Sequence, residues 1–291
     1  MAPNDQLQYH DDPAQFREAL TFTESGTGFS ARLVEKDYYC SLVLHGLAAA
    51  FQQGLIFKGG TCLSKVHADF YRLSEDLDFV ISMDTVASRG VCRNRIAPIK
   101  DLFANLATQL PCFQVAKALT GSNNSKQYIG GLSYTSLVTG QHERLTVEVG
   151  LREPVLSATE PRLAHTLLID PLRRRPVLQP ISVVVLSFHE TYAEKLRAAL
   201  TRRDPAIRDY YDIHHAVTAN SLNLSDSTLI TLLRHKLAVP GNLPVDVSHT
   251  RFTALQRQLE SQLKPVLRTA DFARFDLERI FAMVAQLAAR L

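Results

Sequence analysis

Two aspartates separated by a single residue carry the clearest chemical signal of the chain. Asp76 and Asp78 lie in a run that alternates polar and apolar residues, as a half-buried β-strand does. Residues two apart on a strand point to the same face, so both carboxylates project together while Leu77 and Phe79 face a core. Paired carboxylates repel each other unless a cation lies between them. The pair therefore indicates a site for Mg²⁺, which prefers oxygen ligands and often binds phosphate oxygens as well.

A glycine turn precedes this pair. Gly59, Gly60 and Thr61 follow the apolar residues 55–57, a predicted strand, and lead into a predicted helix at 61–70. Glycines permit a tight bend and bring main-chain N–H groups close to a ligand, and a helix N-terminus favours anions. A phosphate-binding turn beside metal-binding carboxylates is the layout expected for nucleotidyl transfer. Without the turn the Asp-x-Asp pair is a weak signal, because a solvated acidic strand edge has the same pattern.

Glu148 and Lys195 are further candidates. Glu148 shares the polar face of a predicted strand with Thr146, where it suits a third metal-binding carboxylate or a base for an attacking hydroxyl. An ordinary polar strand face has the same pattern. Lys195 lies at the edge of an apolar helical stripe, a position typical of a lysine that extends along the surface to solvent, or of one that reaches a triphosphate as a point charge.

Asp209 and Asp212 begin the next predicted helix and share one of its faces. Carboxylates near a helix start are favoured by the helix dipole, and Arg208 can pair with Asp212 one turn later, so a purely structural role also fits. His214 and His215 do not form a metal-ligand pair with them, because adjacent residues of a helix point in different directions.

Basic residues concentrate between positions 170 and 208, where eight Lys and Arg stand against four Asp and Glu in a chain of net charge +3. A solvated connector has this composition, but the local excess favours a face for an RNA backbone. The candidate RNA-binding residues are Arg173, Arg174, Arg175, Arg202 and Arg203.

The composition of the 291 residues, 46% hydrophobic and 21% charged, is that of an ordinary globular protein. The four cysteines show no CxxC spacing, which argues against a zinc site and a disulfide framework. The N-terminus is polar without a signal-peptide core, and no apolar run is long enough to span a bilayer. We therefore expect a cytoplasmic protein that does not contact a membrane.

The patterning changes along the chain and predicts an α+β fold. Residues 1–160 predict a mixed sheet with helices, 161–187 a proline- and arginine-rich connector with a short strand, and 188–291 a helical C-terminal domain. The predicted helices of the first part cover 31–52, with Ser30 as N-cap, and 90–110, with Pro98 as a kink or a start; the later predicted strands cover 77–81, 113–119, 128–137 and 143–149.

Five segments, taken in order over about residues 30–215, resemble the AbiEii/AbiGii toxin family, which includes the MenT toxins of mycobacteria. They are 34–38 (Val-Glu-Lys-Asp-Tyr), 57–65 (Phe-Lys-Gly-Gly-Thr-Cys-Leu-Ser-Lys), 72–79 (Arg-x-Ser-x-Asp-Leu-Asp-Phe), 194–198 (Glu-Lys-Leu-Arg-Ala) and 208–212 (Arg-Asp-x-x-Asp). The C-terminal helices match the family only in type.

The resemblance implies a DNA-polymerase-β-like nucleotidyltransferase fold and the toxin half of a toxin–antitoxin or abortive-infection pair. Some members use a nucleoside triphosphate and Mg²⁺ to add nucleotides to the 3′ acceptor end of tRNA, which blocks aminoacylation. It further implies that Asp76 and Asp78 bind metal, that Lys195 contacts the nucleotide, and that Asp209 or Asp212 is catalytic. The implied nucleotide-binding residues are Lys58, Gly59, Gly60, Thr61, Arg72 and Ser74.

Two rival functions stay open. The first is transfer of a nucleotide or phosphate to a protein or a small molecule. The second is a nucleotide-binding module without turnover, against which the presence of Asp76, Asp78 and Lys195 together argues.

Overall fold

The chain forms an α/β unit and a helical unit. The computed structural model describes residues 5–219 and 221–291; residues 1–4 of the polar N-terminal stretch and Asn220 lie outside the described residues. The first unit comprises Met1–Val155 with Thr159–Val185, and the second Leu156–Ala158 with Leu186–Leu291. A mixed sheet followed by helices confirms the predicted fold class. In the part of the chain that is described, no helix is long and apolar enough to cross a membrane.

A seven-stranded sheet organises the first unit. Its strands and those of a two-stranded ribbon are β1 Ile56–Lys58, β2 Asp76–Val80, β3 Gln114–Ser122, β4 Gln127–Thr135, β5 His142–Gly150, β6 Glu160–Ala164, β7 Ile169–Asp170, β8 Arg175–Pro176 and β9 Ile181–Val185. The order in the sheet is β3-β4-β5-β2-β1-β9-β6, and β7 pairs with β8. β2 is parallel to β5 and β1 to β9, whereas the other neighbours are antiparallel.

Side chains on one face of the sheet are buried. Leu77 and Phe79 of β2 and Val147 of β5 are at most 1% exposed, and the residues between them are more accessible. This alternation confirms that the two β2 aspartates leave the core on the same side. The helices of the unit are α1 Pro13–Thr27, α2 Ala31–Gly46, α3 Ala48–Phe51, α4 Gly59–Cys62, α5 Arg89–Ala104 and α6 Leu106–Gln109.

α2 is buried on all sides, although it carries three consecutive charged residues. Asp37 and Lys65 form an ion pair of 2.6 Å, and both are at most 3% exposed. The Lys65 ammonium also donates to Ser41 Oγ at 2.7 Å, and Asp37 Oδ2 accepts from the Leu167 main-chain N–H at 2.9 Å. Burial of two charges is tolerated here because each has several polar partners.

The other two charged residues of α2 reach different segments. Lys36 pairs with Glu75 at 2.6 Å, directly before β2. Glu35 accepts hydrogen bonds from Ser136 Oγ and from the Leu137 main-chain N–H, in the turn between β4 and β5. Burial raises the pKa of the Glu35 carboxyl, and these hydrogen bonds oppose that shift. α2 therefore positions the start of β2 and the β4–β5 turn through side-chain contacts.

The second unit consists of helices. They are α7 Phe188–Thr201, α8 Ile207–Ala219, α9 Ser227–Leu237, α10 His249–Gln256, α11 Thr269–Ala273 and α12 Leu277–Ala288. Ser187 caps α7 by accepting from the Glu190 N–H at 3.2 Å. Inside the unit, the buried Lys236 ammonium lies 2.7 Å from Glu190 and 3.2 Å from Glu194, which joins α9 to α7.

Several predicted helices are broken in the structure. The helix predicted for residues 31–52 divides at Leu47, next to Gly46, where the absence of a side chain lets Leu106 of α6 and the following Leu110 approach closely. The helix predicted for 90–110 divides at Asn105, whose side chain donates to Asp101 O at 2.9 Å. Pro98 lies inside α5 on its exposed side. The residues of the glycine turn themselves form the start of α4, at Gly59, and α4 continues as a π-helical turn, Leu63–His67. The helix predicted for 61–70 therefore begins and ends earlier than expected.

The segment expected to be a connector is structured. Residues 161–187 contribute most of β6 and all of β7, β8 and β9, and the first unit includes this segment as far as Val185. β6 and β9 pair over five residues at the edge of the large sheet. Pro161 lies on the edge strand β6, where a proline is tolerated because an edge strand has one unpaired side.

The buried ion pair of α2 allows a test of stability. Lys65→Met should lower the free energy of unfolding by about 3–5 kcal/mol, because Asp37 would stay buried without its cation. Lys117→Met, on the exposed strand β3, should change it by less than about 0.5 kcal/mol. Urea denaturation followed by circular dichroism measures both, and similar small effects would contradict the assignment of Asp37–Lys65 as a buried, coupled pair.

Candidate functional site

Three charged side chains form a row across adjacent strands of the sheet. Lys58 of β1 lies opposite Asp78 of β2, and Asp78 lies opposite Glu148 of β5. Directly opposed residues point to the same face with Cβ atoms about 4.5–5.5 Å apart. Asp76 is opposite Thr146, one pleat along the same face. The strand register thus brings the predicted Asp76, Asp78 and Glu148 to one face, with a lysine beside Asp78.

The glycine turn lies directly against Asp78. Gly59 has a φ of +77°, which a residue with a side chain rarely adopts, and a Cβ at this position would be 2.7 Å from Asp78 Cβ and closer still to its carboxylate. Only glycine leaves room for the Asp78 carboxylate here. The turn and the carboxylate predicted separately from the sequence are therefore in van der Waals contact.

Gly60 and Thr61, the other two residues of the glycine turn, are held by contacts with the segment that leads into β2. Gly60 is buried, and Arg72 and Ser74 lie against it, Ser74 Oγ being 3.0 Å from the position of a Cβ on Gly60. Arg72 is only 2% exposed and donates to Leu73 O at 3.2 Å. The Thr61 hydroxyl donates to the main-chain oxygen of Asp76, so Thr61 couples the start of α4 to the start of β2.

The donor set at this face fits a hard cation. The groups available at Asp76 and Asp78 are carboxylate oxygens, and Mg²⁺ is commonly held by one or two carboxylates plus substrate phosphates. Among residues 5–219 and 221–291, no group of three His, Cys, Asp or Glu side chains is arranged to hold a metal ion alone. Cys62 offers no thiolate, because burial, to which the charge of Asp78 adds, raises its pKa well above the ordinary value.

Glu148 is oriented by a short chain of hydrogen bonds. Gln127 Nε2 donates to Glu148 Oε1 at 2.8 Å, and Gln127 Oε1 accepts from Asn123 Nδ2 at 2.8 Å. Asn123 begins the 3₁₀ turn Asn123–Ser125 between β3 and β4, in which all three residues have positive φ. The carboxylate is therefore tied to an irregular turn as well as to its own strand.

A second cluster lies in the helical unit. The Lys195 ammonium on α7 is 3.0 Å from Asp209 Oδ1 and 2.8 Å from Asp212 Oδ2, both on α8. Asp209 and Asp212 are at most 3% exposed, and Arg202 approaches Asp209 Oδ2 at 3.2 Å. The lysine and the two acids expected to be functional thus form one ion-paired group in this unit.

The predicted basic residues belong to both units. Arg173, Arg174 and Arg175 lie in the first unit and are exposed, and Arg173 is paired with Asp170 at 2.8 Å. Arg202 and Arg203 lie in the second unit and are also exposed.

The two adjacent histidines of α8 are not part of a metal site. Burial lowers the pKa of both His214 and His215, so both are neutral at neutral pH. In the described part of the chain neither belongs to a group of three His, Cys, Asp or Glu side chains that could hold a metal ion.

A comparison with known protein families identifies the family to which the chain belongs. The sequence profile described as nucleotidyl transferase AbiEii toxin, type IV toxin–antitoxin system, matches residues 43–285. The chain belongs to this family. The AbiEii match confirms the resemblance and extends it: it includes the glycine turn, both β2 aspartates, Lys195, Asp209 and Asp212, and it continues through the C-terminal helices. Residues 34–38 lie before it.

Membership in the AbiEii family makes the protein a nucleotidyltransferase and a toxin of the type IV toxin–antitoxin class. An antitoxin is the implied partner of such a toxin. The comparison with curated proteins gives no match.

Two solved structures from Helicobacter pylori are similar to the chain over most of its length. JHP933 has a TM-score of 0.47 and 14% identity and covers 89% of this chain and 87% of its own. A candidate nucleotidyltransferase has a TM-score of 0.46 and 15% identity and covers 89% of each chain. Likeness at this level carries no argument about function.

Sequence reasoning missed the groups that hold the site residues in place. Gln127, the residue that orients Glu148, is the first residue of β4, and only the strand register shows that the two meet. The sequence analysis does not single out Glu75, although its ion pair with Lys36 holds the residue directly before β2. The one signal in the sequence that could have identified Glu75 is its position directly before Asp76.

Gly59 and Gly140 form a matched pair for a test. Both have positive φ, +77° and +68°, but a Cβ at Gly140 meets nothing within 4 Å. Each Ala substitution should lower stability by about 1–2 kcal/mol through the left-handed backbone. Gly59→Ala should in addition displace the Asp78 carboxylate and reduce nucleotidyl transfer by about a hundredfold. Urea denaturation and a transfer assay measure the two effects; equal activities in the two variants would show that the contact with Asp78 is unimportant.

Proposed function

We propose that the protein is a Mg²⁺-dependent toxin that transfers a nucleoside monophosphate from a nucleoside triphosphate to the 3′ acceptor end of tRNA, and so blocks aminoacylation and translation in the cytoplasm. The nucleotidyltransferase activity and the toxin class follow from the family. The choice of tRNA rests on the resemblance to members that modify the acceptor end. The antitoxin would be the partner that restrains this activity.

The contact between Gly59 and Asp78 is the observation that supports this function best. A triphosphate held by the main-chain N–H groups of residues 59–61 would lie beside Asp78, because that carboxylate lies on the turn itself. Asp76 and Asp78 would bind Mg²⁺ together with phosphate oxygens, and the bound ion would neutralise charge on the phosphates. Lys58, opposite Asp78, adds a positive charge at the same place.

The reaction is an in-line displacement at the α-phosphorus. The 3′-hydroxyl oxygen forms the new P–O bond, the bond to the bridging oxygen of the β-phosphate breaks, and pyrophosphate leaves with that electron pair. We assign Asp76 and Asp78 to metal binding and Glu148 to the hydroxyl proton, because its carboxylate is on the same face and is oriented by Gln127. Arg72 and Ser74 hold Gly60 and through it the phosphate-binding turn.

We assign Lys195 to the nucleotide as a point charge, because the resemblance to the family implies that contact. Its two ion pairs with Asp209 and Asp212 hold the ammonium in place on α7. In this assignment the two aspartates act as positioning residues. Asp212 is the more deeply buried of the two, and Asp209 is shared with Arg202.

Labelled substrate tests the reaction and the acceptor together. With nucleoside triphosphate labelled at the α-phosphate, label should enter the 3′ end of tRNA from total RNA. Label in protein or in a small molecule would overturn the choice of acceptor, and no transfer to any fraction would support a binding module. Asp78→Asn should abolish transfer with little change in stability. Asp84→Asn, an exposed turn residue of the same unit whose Oδ1 accepts from the Val86 N–H, should keep it.

The role of Lys195 is tested against its neighbour Arg197, which contacts Asn242 at 3.1 Å. Lys195→Ala should raise KM for the triphosphate or lower kcat by about a hundredfold, since a point charge on developing phosphate charge is lost. It should also lower stability, because two buried carboxylates lose their cation. Arg197→Ala should have a far smaller kinetic effect. Kinetics normalised to folded protein separate the two contributions, and equal, small kinetic changes would remove Lys195 from the nucleotide site.

A further inference from the structure

A groove of about 380 Å³ lies between α5 and the β3–β4 hairpin of the first unit. Its α5 side is lined by three cations and one carboxylate, Arg89, Arg93, Lys100 and Asp101, and its hairpin side by Thr120, Ser125 and Tyr128. The three cations recur at spacings of four and seven residues and therefore share one face of the helix. They extend over about 16 Å along the helix axis. The three cations outnumber the single carboxylate, so the groove has a net positive charge; of the hydroxyl residues opposite, Thr120 is exposed, whereas Ser125 and Tyr128 are buried.

The positive charge around the groove is as large as that of residues 170–208, which we call the arginine-rich segment. Residues 82–126 contain six Lys and Arg against two Asp and Glu, an excess of four, which equals the excess between 170 and 208. Since the whole chain has a net charge of only +3, the remainder is acidic. Positive charge is therefore concentrated in two separate stretches, of which the sequence analysis recognised only one.

The cations of the groove are available to a ligand. Arg89, Arg93 and Lys100 are exposed, and within residues 5–219 and 221–291 none of them has an ion-pair partner. By contrast, Arg173, Lys195 and Arg202 of the arginine-rich segment are each paired with an aspartate. Forming a contact with an external phosphate would break no internal ion pair in the groove.

We infer that this groove binds the phosphate backbone of the RNA acceptor, at a distance from the 3′ end that reacts. A strip of about 16 Å is longer than a triphosphate requires, so its three cations can each contact a different phosphate of one strand. Hydroxyl groups such as those of Thr120, Ser125 and Tyr128 are common partners of phosphate and sugar oxygens. The inference rests on the proposed RNA acceptor and adds to it the place where the body of that RNA is held.

The turn at the end of the groove also contacts the catalytic face. Successive residues of β4 point to opposite faces, so Tyr128 lines the groove while Gln127 holds Glu148. In the turn Asn123–Ser125, Ser125 lines the groove and Asn123 donates to Gln127. Positive φ at three consecutive residues other than glycine costs about 1–3 kcal/mol each. This strained turn contacts both the groove and the residues that orient Glu148. Such a turn is expected where the bound RNA acceptor must be aligned with Glu148, the proposed general base.

The test compares two triple variants that remove the same charge. One changes Arg89, Arg93 and Lys100 to Ala; the control changes the exposed Arg17, Arg274 and Arg279 to Ala. Binding of labelled tRNA is measured at several salt concentrations, and kcat/KM is measured for tRNA and for a short single-stranded RNA with the same 3′ sequence. Thermal unfolding checks that all proteins are folded.

The groove variant should lower the slope of log affinity against log salt concentration by about two, at about 0.7 to 0.9 for each lost phosphate contact. It should also lower kcat/KM for tRNA relative to the short RNA, while the control changes neither quantity. Equal slopes in both variants, with normal transfer by the wild type, would overturn the groove and leave the proposed function intact. If the wild type neither binds nor labels RNA, the proposed function itself fails.

Discussion

The buried contact between Asp37 and Lys65 is the constraint on which the first unit depends. Lys65 lies in the π-helical turn that continues α4, so its ion pair with α2 fixes the far end of the segment that begins at the glycine turn. The desolvation of two charges is offset by several hydrogen bonds around them, and removal of either charge would leave the other buried without compensation. The position of the turn is therefore coupled to the folding of the core.

Two further charged residues of α2, next to Asp37, also hold other segments in place. Lys36 holds Glu75 at the start of β2, and Glu35 holds the turn between β4 and β5. The strands that carry Asp78 and Glu148 are thus attached to the helix that also anchors α4. Three consecutive polar residues, all buried, connect one helix to three separate segments around the candidate site. Such a site is positioned by rigid elements, which favours accurate placement of reacting groups.

The two groups of candidate residues have opposite electrostatic character. The face of β2 brings Asp76 and Asp78 together beside Lys58, and oxygen ligands of this kind suit the binding of a cation. In the helical unit Lys195 lies between two buried carboxylates, so its charge is held in place by the protein itself. Free cations occur instead in the groove beside α5. A protein of nearly neutral net charge can in this way separate the proposed sites for metal, nucleotide and polyanion.

The sequence by itself determined the family, the α+β class and the residues of the strongest motifs, because each of these depends on local spacing. Alternation over residues 76–79 was enough to place both aspartates on one face, and a Gly-Gly-Thr run after an apolar segment was enough to predict the turn. The sequence predicted the boundaries of the elements less well. α2 is shorter than predicted and ends at Gly46, against which Leu106 of α6 packs closely. Residues 161–187 belong to the sheet because β6 and β9 pair with each other there.

Only the tertiary structure decided which residues meet. The contact of Asp78 with Gly59, the link from Gln127 to Glu148 and the pairing of Lys195 with Asp209 and Asp212 depend on strand register and helix packing. So does the groove, whose cations lie on one helix and whose hydroxyl groups lie on a hairpin more than a dozen residues later. Periodicity describes which way a side chain points from its own element, whereas long-range packing decides what lies opposite, and that information is not contained in any local window of the sequence.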